Sequence, residues 1–144
     1  GNHSNTQFPD LSHATVGNDK VTSLLTDFSW IENHFIPTVQ KRGTAIIEAR
    51  RGKSSAASAA NAIINHMQDW IFGTAQDNWV SMGVPSNGSY GIPSGVIFSF
   101  PVTCQNGQYK IVQGLEQSAS DKEKMQKSYQ ELISEQEAIK HLLK

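Results

Sequence analysis

V-I-F-S-F-P-V-T-C-Q-N-G-Q-Y-K-I-V, Val96 to Val112, is the stretch on which the fold reading turns. Val96 to Phe100 is rich in β-branched and aromatic residues and reads as a strand. Pro101 lacks a backbone donor, so it is expected to interrupt that strand and confine it to an edge or a bulge. Val102-Thr103-Cys104, the turn Gln105-Asn106-Gly107 and Gln108 to Val112 read as a hairpin. Asn106-Gly107 is the strongest local signal, because both residues tolerate the positive φ that tight hairpins require.

Working outward, Asn78-Trp79-Val80-Ser81-Met82-Gly83-Val84 reads as another strand, with turn material at Pro85–Ser89 and a loop at Gly91–Gly95. Downstream, Ser120-Asp121-Lys122-Glu123 has the capping-box pattern. It is expected to open a final helix with Met125, Tyr129, Leu132, Gln136, Ile139 and Leu143 on one stripe. Ser29-Trp30-Ile31-Glu32 has the same pattern and would start a helix of about 20 residues, a length consistent with its apolar spacing. Pro37 inside it implies two helices meeting, and Gly43 implies close approach of another backbone. After the break at Arg51-Gly52-Lys53, Ser54 to Phe72 is a second long helix. Ala56, Ala60, Ile64, Met67 and Ile71 form its apolar stripe, and Ala56–Ala60 make its first half thin. Leu11 to Val16 alternates like a half-buried strand and turns at Gly17-Asn18-Asp19; Val21 to Asp27 fits a strand or a helical turn. The order predicts an α+β domain, long helices packed on a twisted antiparallel sheet.

A chain of 144 residues is the size of one domain. Twelve basic against 13 acidic side chains leave a net charge of -1, which offers no field for nucleic acid or an acidic membrane surface. No apolar run is long enough to span a bilayer. One cysteine, Cys104, excludes an internal disulfide and fits a reducing compartment. The glycosylation patterns at Asn2 and Asn87 are short enough to arise by chance.

Individual residues suggest little chemistry. His3 and His13 have no accompanying ligand pattern, so no metal is expected. No glycine-rich phosphate cradle or nucleophile elbow occurs. Residue by residue, His3 reads as an exposed terminal histidine, and His13, His34, His66 and His141 as surface or rim residues. Arg42, Arg50 and Arg51 read as helix-end charges, and Ser54 and Ser55 as caps of the following helix.

As strings, the segments carry more. G-N-H-S-x-T-Q-x-P-D at Gly1–Asp10, continued by L-S-H-A-T-V, resembles the active-site histidine segment of the cytosolic-type malate dehydrogenases, a group that includes the chloroplast NADP-dependent form. T-V-Q-K-R-G-T-A-I-I-E-A-R at Thr38–Arg50 and S-S-A-A-S-A-A-N-A-I at Ser54–Ile63 resemble that family's paired helices. Trp79–Val84, S-Y-G-I-P-S-G at Ser89–Gly95, S-F-P-V at Ser99–Val102 and Gly114-Leu115 follow in the same order.

The resemblance covers the whole chain and implies that residues 1–144 form the carboxyl-terminal, catalytic and substrate-binding domain, with the Rossmann NAD-binding domain outside it. It implies that His3 is the general acid/base and that Asn2 shapes the substrate pocket. It also places Ser55, with Ser54 beside it, near substrate and nicotinamide; His3 and Ser55 would both meet the cofactor, NAD. An aspartate orienting the histidine and the arginines gripping the substrate are implied to lie outside these residues. The full-length protein would interconvert L-malate and oxaloacetate as a cytoplasmic homodimer, and residues 1–144 alone would be inactive. Two alternatives stand beside this: a lactate dehydrogenase of malate dehydrogenase ancestry, and a non-catalytic dimerisation module.

Overall fold

In the computed structural model, which describes residues 2–142, the first strand of the hairpin is the centre of the sheet. β1 (Thr15–Val16) and β2 (Asp19–Lys20) form a small separate ribbon. β3 (Val80–Pro85), β4 (Ile97–Gln105) and β5 (Gln108–Ile111) form an antiparallel sheet in that order. Gln105 pairs with Gln108, leaving Asn106 and Gly107 as a two-residue turn with φ of 53° and 72°. Positive φ at both central residues is the turn whose twist matches the flanking strands.

Pro101 corrects the expectation of a broken strand. β4 runs through it without interruption, and Pro101 sits opposite Ser81 of β3. Its carbonyl accepts from the Val112 amide at 2.9 Å. Within a strand a residue's N–H and C=O point to the same neighbour, so the missing N–H faces β5. The bond it would have made is to the Val112 carbonyl, which instead accepts from the Tyr90 hydroxyl at 2.6 Å, and the paired register ends beside it at Val102 and Ile111.

β4 also supplies the core. Phe98, Phe100, Val102 and Cys104 are buried on one face, while Ile97, Ser99, Pro101 and Thr103 alternate toward the other. Met82, Val84, Ile92, Val96 and Ile111 join the buried set. The last long helix, α5 (Ala119–Ile139), lays Met125, Tyr129, Leu132 and Ile133 against it. Each fully buried aromatic or aliphatic side chain contributes about 1.5–3 kcal/mol. The helix begins at Ala119, and its cap lies two residues before Ser120. Ser118 is the cap: its hydroxyl accepts from the Asp121 amide at 3.0 Å and Asp121 accepts from the Ser118 amide at 3.2 Å. Gln136 reaches the Gly95 carbonyl, whereas Leu143 lies outside the described residues.

The upstream helices differ from expectation in instructive ways. Val21–Leu24 is a single helical turn, α1, and Leu11–Ala14 is irregular rather than strand. α2 (Phe28–Trp30) is capped by Asp27, which accepts from the Trp30 amide at 3.0 Å, so Ser29 is not the cap. A π-helical turn at Ile31–Phe35 then leads into α3 (Ile36–Ala49). Pro37 enters at the start of α3, where the wide preceding turn accommodates a residue that has no donor. α4 (Ala57–Phe72) begins after Ser54 and Ser55, and no side chain caps it. Its expected apolar stripe is uncovered: Ile64, Met67 and Ile71 are all exposed. α4 is tied to the sheet at its end, where Trp70 Nε1 donates to the Gly107 carbonyl at 2.8 Å.

Gly73 ends α4 with φ +97°, and a Cβ there would stand 3.1 Å from the Cys104 carbonyl oxygen. Thr74 donates its amide to that same carbonyl at 3.0 Å, extending the sheet edge beyond β3. Gly73→Ala is therefore expected to destabilise the domain by about 1–3 kcal/mol, read as a lowered melting temperature. An unchanged melting temperature would show that this junction adjusts freely.

Candidate active site

The residues before the first strand lack regular structure, so their backbone must be held by other groups. Ser4 and Thr6 supply part of that within the segment. The Thr6 amide donates to Ser4 Oγ at 3.0 Å, and the Gln7 amide to the Ser4 carbonyl at 3.2 Å. This local turn aims both hydroxyls in one direction, toward α5.

Their target is Glu131. Its Oε2 accepts from the Ser4 hydroxyl, from Thr6 Oγ1 at 2.7 Å and from Asn2 Nδ2 at 3.4 Å. One turn back along α5, Ser128 is fully buried, with its Oγ 2.8 Å from Thr6 Oγ1 and 3.1 Å from the Thr6 carbonyl. Since the Thr6 proton goes to the carboxylate, Thr6 Oγ1 is left to accept. A second station follows: Gln40 of α3 donates to the Gln7 carbonyl at 2.9 Å. Lys124 of α5 lies 5.7 Å from the Phe8 ring centroid and pairs with Glu32 at 2.7 Å. Phe8 and the backbone around it are thereby held between α5, the π-helical turn and α3.

His3 sits within this clamp and takes no part in it. It is exposed and makes no hydrogen bond or ion pair with any described residue, while Asn2 and Ser4 on either side are bound to Glu131. An imidazole on a fixed backbone with both ring nitrogens available can serve as a proton donor or acceptor.

Ser54 and Ser55 lie in the connection before α4 and do not cap it. The Arg50 guanidinium donates to the Ser54 carbonyl, and Ser54 Oγ is 3.5 Å from the Ser55 carbonyl. Ser55 is half-buried. Neither serine hydrogen-bonds to Asn2 or His3 among the described residues. The start of α4 nearby is built from small exposed residues, Ala57 to Ala60.

Another concavity, of about 630 Å³, lies between the Phe8–Thr15 segment and the sheet. His13 Nδ1 is 2.7 Å from Asp10 Oδ2 at its edge, and His13 meets Trp79 edge-on. No cluster of metal-ligating side chains occurs among the described residues. No described helix is long and apolar enough to cross a membrane.

This fold, with a histidine segment strapped to the last helix, matches known dehydrogenases. The model of the lactate/malate dehydrogenase alpha/beta C-terminal domain matches residues 1–143, and the chain belongs to that family. A malate dehydrogenase from Naegleria fowleri is 49% identical, with a TM-score of 0.88 over 99% of this chain and 43% of its own. A Trichomonas vaginalis lactate dehydrogenase, solved with NADH and oxamate, is 36% identical, with a TM-score of 0.86 over 99% of this chain and 45% of its own. A Plasmodium falciparum malate dehydrogenase at 18% identity shares the fold, with a TM-score of 0.84. The chain thus spans less than half the length of these relatives.

Glu131 and Ser128 were not among the residues singled out in the sequence. Their spacing of three on a helix puts them on one face, but nothing local shows what meets that face. Donation from Ser4, and then from Thr6, holds the Glu131 carboxyl below the ordinary glutamate range. Partial burial opposes this, and Asn2 and Lys127 add to the lowering. A lowered folded-state value means that the pairing stabilises fully above the ordinary glutamate range and is lost as pH falls through the lowered value. The melting-temperature gap between the parent and Glu131→Gln is expected to hold from about pH 7 to about pH 5 and to close toward about pH 3. A gap that widens on acidification would contradict the pairing.

Proposed function

We propose that the protein containing this chain is an NAD-dependent oxidoreductase interconverting L-malate and oxaloacetate, with His3 as proton donor and acceptor. The observation that carries the reading is an exposed imidazole on a segment whose flanking side chains are bound to α5, in a chain of dehydrogenase family. In malate oxidation His3 takes the C2 hydroxyl proton; in the reverse direction it returns a proton to the carbonyl oxygen of oxaloacetate. Asn2 shapes the substrate pocket beside it, and Ser55 with Ser54 borders substrate and nicotinamide.

NAD, when bound, supplies the hydride acceptor and donor. The residues present fit a flat ring at close range. Ala57–Ala60 give α4 a thin, exposed start, no side chain covers its first amides, and half-buried Ser55 precedes them. His3 and Ser55 would hold the nicotinamide end, with the rest of the cofactor carried by a Rossmann domain outside these residues. The aspartate that orients His3 and the arginines that grip the substrate are likewise expected outside residues 1–144.

Malate is preferred over lactate because the Naegleria fowleri relative at 49% identity is described as a malate dehydrogenase, while the lactate dehydrogenase relative stands at 36%. The cytoplasm suits the reading, since Cys104 is a buried free thiol. A homodimer is the proposed assembly. The uncovered apolar face of α4, with Ile63, Ile64, Met67 and Ile71 exposed, favours a second reading of residues 1–144 as a dimerisation module.

Activity separates the two. In the full-length protein, His3→Asn is expected to lower kcat by about 10²–10⁴-fold in the oxaloacetate and NADH assay. Residues 1–144 alone are expected to show no turnover, because the histidine lacks its orienting carboxylate and the hydride carrier its cradle. Full activity in the His3→Asn enzyme would overturn the proton-carrier role. Turnover by the isolated domain at the rate of the intact enzyme would overturn its incompleteness.

A further inference from the structure

The His3 segment is held by a residue more than 120 positions away in sequence, and the chemistry of that contact suits a specific task. Three donors, from Asn2, Ser4 and Thr6, converge on Oε2 of Glu131. They come from the residues immediately before and after His3 and from the turn that follows. The imidazole itself is left out. A contact that served only to dock the segment could use any of its side chains; this one spares the histidine and engages both neighbours.

We propose that Glu131 is a positioning residue for His3, fixing the backbone on both sides of the imidazole so that the ring is presented to substrate in one orientation. The inference rests on the reading of His3 as the proton carrier. Ser128 completes the device. Its buried hydroxyl donates into the Thr6 hydroxyl or carbonyl, which fixes Thr6 so that its own proton points at Glu131. Because the donors meet at a single oxygen, a carbonyl oxygen in the same place can still receive them. Glutamine at 131 thus keeps most of the geometry, whereas alanine leaves two hydroxyls and an amide without their acceptor.

This distinguishes positioning from general stability. Misplacement of a catalytic group by a fraction of an ångström acts on the chemical step more than on substrate affinity. In the full-length enzyme, Glu131→Ala is expected to lower kcat about tenfold or more while KM for oxaloacetate changes less than about threefold. Glu131→Gln should return kcat to within about threefold of the parent.

The experiment is steady-state kinetics on the parent, Glu131→Ala, Glu131→Gln and His3→Asn, with thermal melts on each. Thr6→Val removes one donor only and is expected to lower kcat about threefold, which keeps the test intact if Glu131→Ala fails to fold. Loss in His3→Asn with parental kcat in Glu131→Ala and Thr6→Val would overturn the positioning role and leave the proton-carrier reading standing. An active His3→Asn enzyme would overturn both. A Glu131→Ala loss that appears in KM alone, or that glutamine does not rescue, would also overturn the proposal.

Discussion

A single carboxylate oxygen, Oε2 of Glu131, joins the first turn of the chain to its last helix, and the candidate site depends on that junction. The Asn2–Gln7 segment has no strand or helix to hold it. Its fixed points are the hydroxyls of Ser4 and Thr6, the amide of Asn2 and the buried hydroxyl of Ser128. Hydrogen bonds to a charged group are the stronger kind, and here they compensate for the absence of a strand or helix ladder. α5 in turn is set by its apolar face on the sheet, through Met125, Tyr129, Leu132 and Ile133. The position of His3 is therefore inherited from the core by way of one helix. Packing of Phe98 and Phe100 fixes α5, and α5 fixes the histidine.

Much of this frame is written locally. Asn106-Gly107 specifies its turn because few other pairs tolerate positive φ at both positions, and the alternation along β4 specifies which face is buried. The capping pattern at the start of α5 is also legible, but two hydroxyls compete for it. Ser118 and Ser120 both precede an acidic residue by three, and tertiary placement of the helix selects Ser118. At Asp27 the same competition goes against Ser29, whose hydroxyl accepts from Asn33 instead. Pro101 illustrates the reverse case. Proline removes a donor from any strand, but the cost depends on which neighbour that donor would have faced. The direction becomes visible only once β5 is seen to end beside it.

The site was legible as a string and not as a geometry. The motif around His3 identifies the family, yet it contains no sign that Ser4 and Thr6 are bound to a residue near the other end of the chain. Such pairs carry no periodicity and no fixed spacing. Ser54 and Ser55 show the limit from the other side: as hydroxyls ahead of an Ala-rich helix they look like caps, but Ala56 occupies that position. Their hydroxyls are thereby left out of the helix. The uncovered stripe of α4 has the periodicity of a core helix, and no part of residues 2–142 covers it. Periodicity predicts that a face will be buried and is silent about which surface buries it.

Amide hydrogen exchange tests the junction most directly. In the full-length protein, the Thr6 and Gln7 amides can be followed in the parent and in Glu131→Ala, with the Val112 amide, bonded to Pro101, as an internal reference. Exchange at Thr6 and Gln7 is expected to rise about tenfold or more in Glu131→Ala while Val112 is unchanged, because the segment opens locally and the sheet does not. Equal protection of Thr6 and Gln7 in both proteins would contradict the claim that Glu131 holds the segment that carries His3.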